Sequence, residues 1–244
     1  MTLPVLQPLL GGPLGPYARR LLAPDTTGEA PPGTRLLEPE TLRALLARFG
    51  TRYGDAPDIR GCASLWFKHH LAAWLVGGLA VNLLLDHELP LSLEDIAIRM
   101  AAGGETEAVH LPGNGKRLEE LDANQRFAVL TEGHLAPLIG VLAKVSRASP
   151  RLFWSNAGNL FENVLCQIEQ AMPGAPGLTA ARAFLAVRDL SSGRPNPLFA
   201  PIRYIEQDGR RIRKRKVCCL RYLLPGLNLC STCPLPSLPR ISAP

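Results

Sequence analysis

The sequence predicts an α+β protein, predominantly helical, with a small antiparallel sheet or hairpin and a C-terminal cysteine-rich segment appended to the last strand. Three observations carry this reading. Apolar residues recur at helical spacing in several stretches between Pro39 and Leu190. Turn signals at Gly113-Asn114-Gly115 and Asp208-Gly209 interrupt runs that suit short strands. Four of the six cysteines fall within the sixteen residues from Cys218 to Cys233. The composition, 46% hydrophobic and 20% charged over 244 residues, is that of a globular chain whose core needs no disulfides.

Residues 1–35 are rich in Pro and Gly and read as an extended, loosely packed segment with no assigned chemistry. The first helix follows Glu38-Pro39: Leu42, Leu45, Leu46 and Phe49 share a face, and Gly50 suits its stop. A second is expected from about Ala63 to Leu85. Its apolar run, Leu71 to Leu85, falls short of the roughly 20 residues a membrane span needs and reads as a buried core helix. A third is expected from Ser92, with Leu93, Ile96, Ala97 and Met100 on one face. Gln125 to Leu130 suits a strand. Helices are expected again at about 134–146, 154–172 and 178–190. Pro201 to Gln207, a tight turn at Asp208-Gly209 and Arg210 onward read as a β-hairpin. The chain therefore divides into the N-terminal segment (1–35), a mainly helical domain (36–200) and a hairpin plus cysteine segment (201–244). The last two are expected to form one compact unit.

No basic stretch followed by an apolar one opens the sequence, so no signal peptide is expected. The cysteine clustering favours metal ligation in a reducing compartment, which points to a cytoplasmic protein; peripheral membrane contact stays open. The formal charge of +6 is concentrated in Arg210, Arg211, Arg213, Lys214, Arg215 and Lys216, just before the cysteine pair. Such a run is most often a solvated face. No nucleic-acid-binding pattern accompanies it, and no nucleic-acid partner is expected.

Cys218-Cys219 and Cys230-Ser-Thr-Cys233 make a soft-ligand set suited to zinc or to an iron–sulfur cluster. Structural zinc sites usually use two separated pairs, and the adjacent Cys218-Cys219 breaks that spacing. In an extended strand, neighbouring side chains point to opposite faces. Both sulfurs can converge only if the backbone turns there, and a two-iron cluster, with wider-spread ligand positions, accommodates the pair more easily. Pro225-Gly226 supplies a turn that brings the second half back. Cys62 and Cys166, in helical apolar stretches, read as small core residues.

At these residues the sequence resembles the FhuF-like ferric siderophore reductases. Cys218-Cys219-Leu220-Arg221-Tyr222, then Pro225-Gly226, then Cys230-Ser231-Thr232-Cys233-Pro234 look like the C-terminal motif of that family, C-C-x10-C-x2-C, at each cysteine. Phe153-Trp154-Ser155-Asn156 and the Trp66 region resemble earlier segments more weakly. The resemblance implies an iron–sulfur oxidoreductase whose four cysteines hold a 2Fe-2S cluster. It further implies one-electron reduction of siderophore-bound iron(III) in the cytoplasm, with release of iron(II). Gly11-Gly12-Pro13-Leu14-Gly15-Pro16 has the wrong spacing for a dinucleotide-binding turn, so electrons are expected from an external donor, a ferredoxin-like protein or a reductase. The basic run suits docking of an acidic donor or of an anionic ferric chelate, and its charge favours the reduced cluster.

Arg203, Arg213, Arg221, Trp154 and Asn156 are the candidate substrate contacts. Trp154, Ser155, Asn156 and Asn159 are expected to open the long helix, where they line a cleft or simply cap it. Arg203, Tyr204 and Arg221 flank the cysteines and suit chelate binding, cluster tuning or surface ion pairs. His69 and His70 are adjacent on a helix, so at most one joins any site, and a surface position is expected. His87 reads as a capping residue at a helix end. Two rival readings remain: a non-catalytic scaffold with structural zinc, and an iron–sulfur electron carrier with another acceptor.

Overall fold

The computed structural model describes residues 2–119, 122–207 and 209–236. The N-terminal residues, read as loosely packed, join the core. Leu3, Leu6 and Leu9 recur every third residue, the period of the 3-10 helix at Pro4–Leu9, and all three are buried. A single turn, α1 (Gly15–Ala18), and a short strand, β1 (Leu21–Leu22), add Ala18 and Leu21.

Helix α2 (Pro39–Gly50) forms where expected, with Pro39 in its first turn and Leu42, Leu46 and Phe49 fully buried. Helix α3 (Ile59–Leu85) is the trunk of the molecule, about 40 Å long at 1.5 Å per residue. It starts before Ala63 because the Asp58 side chain accepts hydrogen bonds from the Arg60 and Gly61 amides, at 2.9 and 3.2 Å. Its buried residues cover every face, as befits a helix surrounded by others. Among the described residues no helix is long and apolar enough to cross a membrane.

The helix expected from Ser92 does not form. One turn, closed by the Asp95 amide on the Ser92 carbonyl, leads into strand β3 (Ala97–Met100). β3 pairs antiparallel with β4 (Thr106–His110), and β1 adds parallel to the other edge of β4. The Ile98 amide also bonds the Pro31 carbonyl at 2.8 Å. The hairpin ladder on one side and the bridge to Pro31 and Pro32 on the other override a helical spacing only nine residues long. A second small ladder joins β2 (His87–Glu88) to β5 (Lys116–Arg117). His87 caps no helix; its Nε2 meets the Asn114 carbonyl at 2.7 Å, while Asp86 (φ 53°) ends α3.

The strand expected over Gln125–Leu130 is helical instead. Asp122 accepts from the Asn124 and Gln125 amides at 2.7 and 2.9 Å, starting the single turn α4 (Ala123–Arg126). A π-helix (Val129–Leu135) then runs into α5 (Ala136–Ser146). Ser149 and Pro150 start α6 (Pro150–Ala171) a turn earlier than expected, so Trp154, Ser155, Asn156 and Asn159 lie inside the helix and none caps it. α7 (Leu178–Ala186) ends short of residue 190 because the Asn196 amide takes the carbonyls of Phe184 and Val187, at 2.7 and 3.0 Å.

The expected hairpin forms from β6 (Ile202–Gln207) and β7 (Arg210–Arg215), with Ile202 opposite Arg215 and Gln207 opposite Arg210. Of its turn, Gly209 has φ 70°; Asp208 lies outside the described residues. Arg213 clamps the hairpin to α6: its Nε donates to Glu162 at 2.7 Å and its Nη atoms to the Asn159 side chain and carbonyl at 2.9 and 2.8 Å. Tyr204 Oη donates to the same carboxylate. Burial pushes the Glu162 carboxyl up, but the bonds from Tyr204 and Arg213 outweigh it and keep it ionised. This clamp fixes where β7 delivers the cysteines.

Candidate metal centre

The chain leaves β7 at Arg215, whose amide donates to the Thr232 carbonyl at 2.8 Å, and bends at Lys216 and Val217. Cys218 and Cys219 follow outside any strand, and Leu220 takes a left-handed conformation at φ 55°. The backbone thus breaks from the strand just ahead of the vicinal pair, as convergence of both sulfurs requires. A 3-10 turn at Arg221–Leu223 carries the chain to Leu224, which packs on the start of α3. Gly61 permits this approach: a Cβ there would lie 3.1 Å from the Leu224 side chain. Pro225-Gly226 then reverses the chain, with Gly226 at φ 75° and the Leu227 amide on the Leu224 carbonyl at 3.1 Å. The Cys233 amide closes the final turn on the Cys230 carbonyl at 2.9 Å.

The result is two sulfur pairs. Cys218 Sγ lies 3.9 Å from Cys233 Sγ, and Cys219 Sγ lies 3.8 Å from Cys230 Sγ. All four are free thiols, and each pair has one buried member, Cys233 at 4% and Cys219 at 1% exposure. Two thiolates on one tetrahedral metal, with bonds of about 2.3 Å, sit about 3.8 Å apart. Each pair therefore has the bite for one metal ion. Among the described residues no three His, Cys, Asp or Glu side chains converge on a single-ion position. The arrangement is two-by-two, and the adjacent cysteines belong to different pairs. A structural zinc would instead need all four sulfurs at that mutual separation.

The surroundings of the four sulfurs are rich in donors and positive charge. The Leu220 amide donates to Cys218 Sγ at 3.4 Å. Cys219 and Cys230 share one proton: the Cys219 thiol donates to Cys230 and pulls its pKa down to about 5, aided by Thr232, Arg215 and Lys68, while Cys219 is pushed up. Burial raises the Cys218 thiol. Two buried guanidinium nitrogens, Nε of Arg215 and Nε of Arg221, have no acceptor among the described residues. An anionic cluster held by Cys218, Cys219, Cys230 and Cys233 would suit a site with such donors and positive charge, so the residues present fit the group.

Beside Cys218 a cleft of about 240 Å³ is lined by Arg151, Trp154, Ser155, Phe199, Lys216 and Val217. Of the candidate substrate contacts, Trp154 lines it. Asn156 does not: it is 2% exposed, and its amide is spent on Ser64 and Arg215. Arg213 is held by Glu162 and Asn159. Arg203 is exposed on β6, opposite Lys214, and Arg221 is half-buried beside the cysteines. Cys62 is 1% exposed near the start of α3 and Cys166 faces Glu162 and Tyr204; neither approaches the four. Residues not singled out from the sequence complete the surroundings. Ser64 and Lys68, one turn apart on α3, carried no signal in the sequence; Arg151, on α6, is signalled only by its helical spacing from Trp154. His70, expected at the surface, is fully buried against His134.

Two pairs of cysteine thiols on a helical α+β body suit an iron–sulfur protein, and comparison with known proteins gives the class. A family described as "Ferric iron reductase FhuF-like transporter" matches residues 64–212, and "FhuF 2Fe-2S C-terminal domain" matches residues 215–235. The ferric siderophore reductase of Escherichia coli (strain K12) is 25% identical over 208 residues, 81% of this chain and 76% of that protein. ATP-bound aerobactin synthetase IucA, from a hypervirulent pathotype of Klebsiella pneumoniae, shares the fold at TM-score 0.56 and 14% identity. That likeness covers 69% of this chain and 36% of the synthetase, and extends to the fold alone. The chain belongs to the FhuF-like ferric iron reductase family: it is an iron–sulfur oxidoreductase acting on ferric chelates, with a 2Fe-2S cluster as cofactor.

Proposed function

We propose that this protein reduces siderophore-bound iron(III) to iron(II), one electron at a time, at a 2Fe-2S cluster held by Cys218, Cys219, Cys230 and Cys233, and that iron(II) is released in the cytoplasm. The observation that carries this reading is the pair of sulfur pairs at 3.9 and 3.8 Å, with Cys218 and Cys233 as ligands of one iron and Cys219 and Cys230 of the other. When bound, the cluster supplies a store for one electron. The protein's own residues do the rest. Arg151 and Lys216 give the cleft beside Cys218 a positive rim with no carboxylate in its lining, and Trp154 and Phe199 offer it aromatic faces. A ferric chelate seated there rests against Val217, one residue from a cluster ligand. Iron(III) gains one electron, and iron(II), held far less tightly by hard oxygen ligands, leaves.

The electron comes from an external donor. Arg203, Arg210, Arg211 and Lys214 stand on the hairpin that feeds the cysteines, a surface that suits an acidic ferredoxin-like protein or reductase. In the same reading residues 36–200 and 201–244 act as one unit, since α3 and α6 support the cluster segment.

Purified protein carrying its cluster and chemically reduced should convert a ferric siderophore to iron(II), read by a ferrous-specific chelator. Replacement of both Arg151 and Lys216 by Glu should raise KM for an anionic chelate about tenfold or more, roughly the 1.4 kcal/mol expected of lost charge pairing at the rim. No reduction of any siderophore in a panel, by protein whose cluster is intact and reducible, would leave only an electron carrier.

A further inference from the structure

Arg215 closes β7 and is 1% exposed, yet no carboxylate pairs with it among the described residues. Two other inward-facing arginines do have acids: Arg126 has Asp86 and Arg213 has Glu162. A buried guanidinium with no anion recovers only part of its desolvation penalty through hydrogen bonds. What surrounds Arg215 instead is the sulfur site. Its amide bonds Thr232, between Cys230 and Cys233, at 2.8 Å. Its Nη2 donates to Asn156 Oδ1; Asn156 Nδ2 donates to Ser64 Oγ at 2.9 Å; Ser64 Oγ donates to the Cys219 carbonyl at 2.7 Å. Asn156 and Ser64 are themselves buried, at 2% and 0%. One residue thus grips both halves of the cysteine segment, the second half directly and the first through a two-residue relay anchored in α6 and α3.

We propose that Arg215 is the buried counter-charge and the positioning residue of the cluster: its guanidinium offsets the thiolates of Cys219 and Cys230, and its relay through Asn156 and Ser64 fixes the backbone of Cys219. Lys68, half-buried on α3 one helical turn after Ser64, is a second basic side chain on the helix that anchors the relay. Positive charge fixed beside the site stabilises the reduced, more negative form and raises its potential. No carboxylate among the described residues neutralises this charge, so Arg215 contributes more to the stability of the loaded protein than to that of the empty one. Asn156 then acts through Arg215 and Cys219 and not on the substrate.

This inference rests on the 2Fe-2S reading, and the two fail separately: absence of iron and sulfide from the wild type overturns that reading, whereas the variants test Arg215. Holoprotein and cluster-free protein are prepared for the wild type, Arg215→Gln, Arg215→Lys and Lys68→Gln, and midpoint potential, iron per chain and melting temperature are measured for each. Arg215→Gln should lower the potential, lose iron faster to a chelator and melt lower when loaded, with a smaller loss of melting temperature when empty. Arg215→Lys should recover most of the potential and less of the iron retention, since it keeps the charge but not the planar fork. Lys68→Gln should lower the potential with the relay intact, and decides the electrostatic part if Arg215→Gln does not fold. Unchanged potentials in Arg215→Gln and Lys68→Gln, or equal loss of melting temperature in loaded and empty Arg215→Gln, would overturn the proposal.

Discussion

Two histidines 64 residues apart meet at the centre of the molecule, His70 on α3 and His134 on the π-helix, with Nε2 atoms 2.9 Å apart and no exposure. Their partners dictate the tautomers. The Leu91 carbonyl, 2.8 Å from His134 Nδ1, only accepts, so Nδ1 carries that proton and Nε2 accepts from His70 Nε2. His70 Nδ1 then accepts from the Thr106 hydroxyl, at 2.8 Å. Both rings are neutral, stacked on Trp74 and Trp66 at centroid distances of 3.8 and 5.2 Å. Burial pulls the His134 pKa down to about 3 and that of His70 well below its ordinary value. In the unfolded chain each titrates at about 6.5, so the unfolded state gains protons first as pH falls. Stability should be full above about pH 6.5 and fall below it, by up to about 1.4 kcal/mol per pH unit for each histidine, until pH nears 3. Urea unfolding between pH 7.5 and 5 measures this; a flat profile would mean the pair is not neutral and buried. Neither pairing partner was legible in the sequence, because a contact across 64 residues leaves no local pattern.

At the scale of elements, the clamp between α6 and the hairpin decides whether the cysteines arrive where α3 expects them. Glu162, with a side chain 5% exposed, is the only carboxylate that Arg213 meets among the described residues, and it also receives Tyr204. Glu162→Gln leaves the Arg213 charge unpaired and half-buried, and should cost about 3 kcal/mol in urea unfolding at pH 7. A cost below about 0.5 kcal/mol would show that the hairpin is held elsewhere. The hairpin and the long helices were legible because their patterns are long or carry strong turn residues. The stretch from Ser92 to Met100 was not: its helical spacing is real, but pairing with β4 and with Pro31 decides it. Leu3, Leu6 and Leu9 were hidden among prolines and glycines, since a three-residue period is easily passed over beside 3.6 and 2. Arg215 was hidden among basic neighbours, and only the register that sets it opposite Ile202 distinguishes it from Lys214.

For the whole molecule, the trunk helix, the clamp and the relay all bear on one place, where four thiols sit two-by-two beside buried positive charge and an open cleft. That site was the most legible part of the sequence, because ligand chemistry packed into sixteen residues needs no long-range information. What sequence alone could not supply was which sulfurs meet, Cys218 with Cys233 and Cys219 with Cys230. The most direct measurement is iron, zinc and acid-labile sulfide per chain in anaerobically purified protein, with its visible spectrum, for the wild type and for each of the six cysteine-to-serine variants. A 2Fe-2S cluster predicts about two irons and about two sulfides per chain, with bands that bleach on reduction. Cys218→Ser, Cys219→Ser, Cys230→Ser and Cys233→Ser should each lose or destabilise the cluster, and Cys62→Ser and Cys166→Ser should retain it. A colourless wild type holding about one zinc, or equal iron loss in Cys62→Ser and Cys166→Ser, would contradict a 2Fe-2S cluster on these four cysteines.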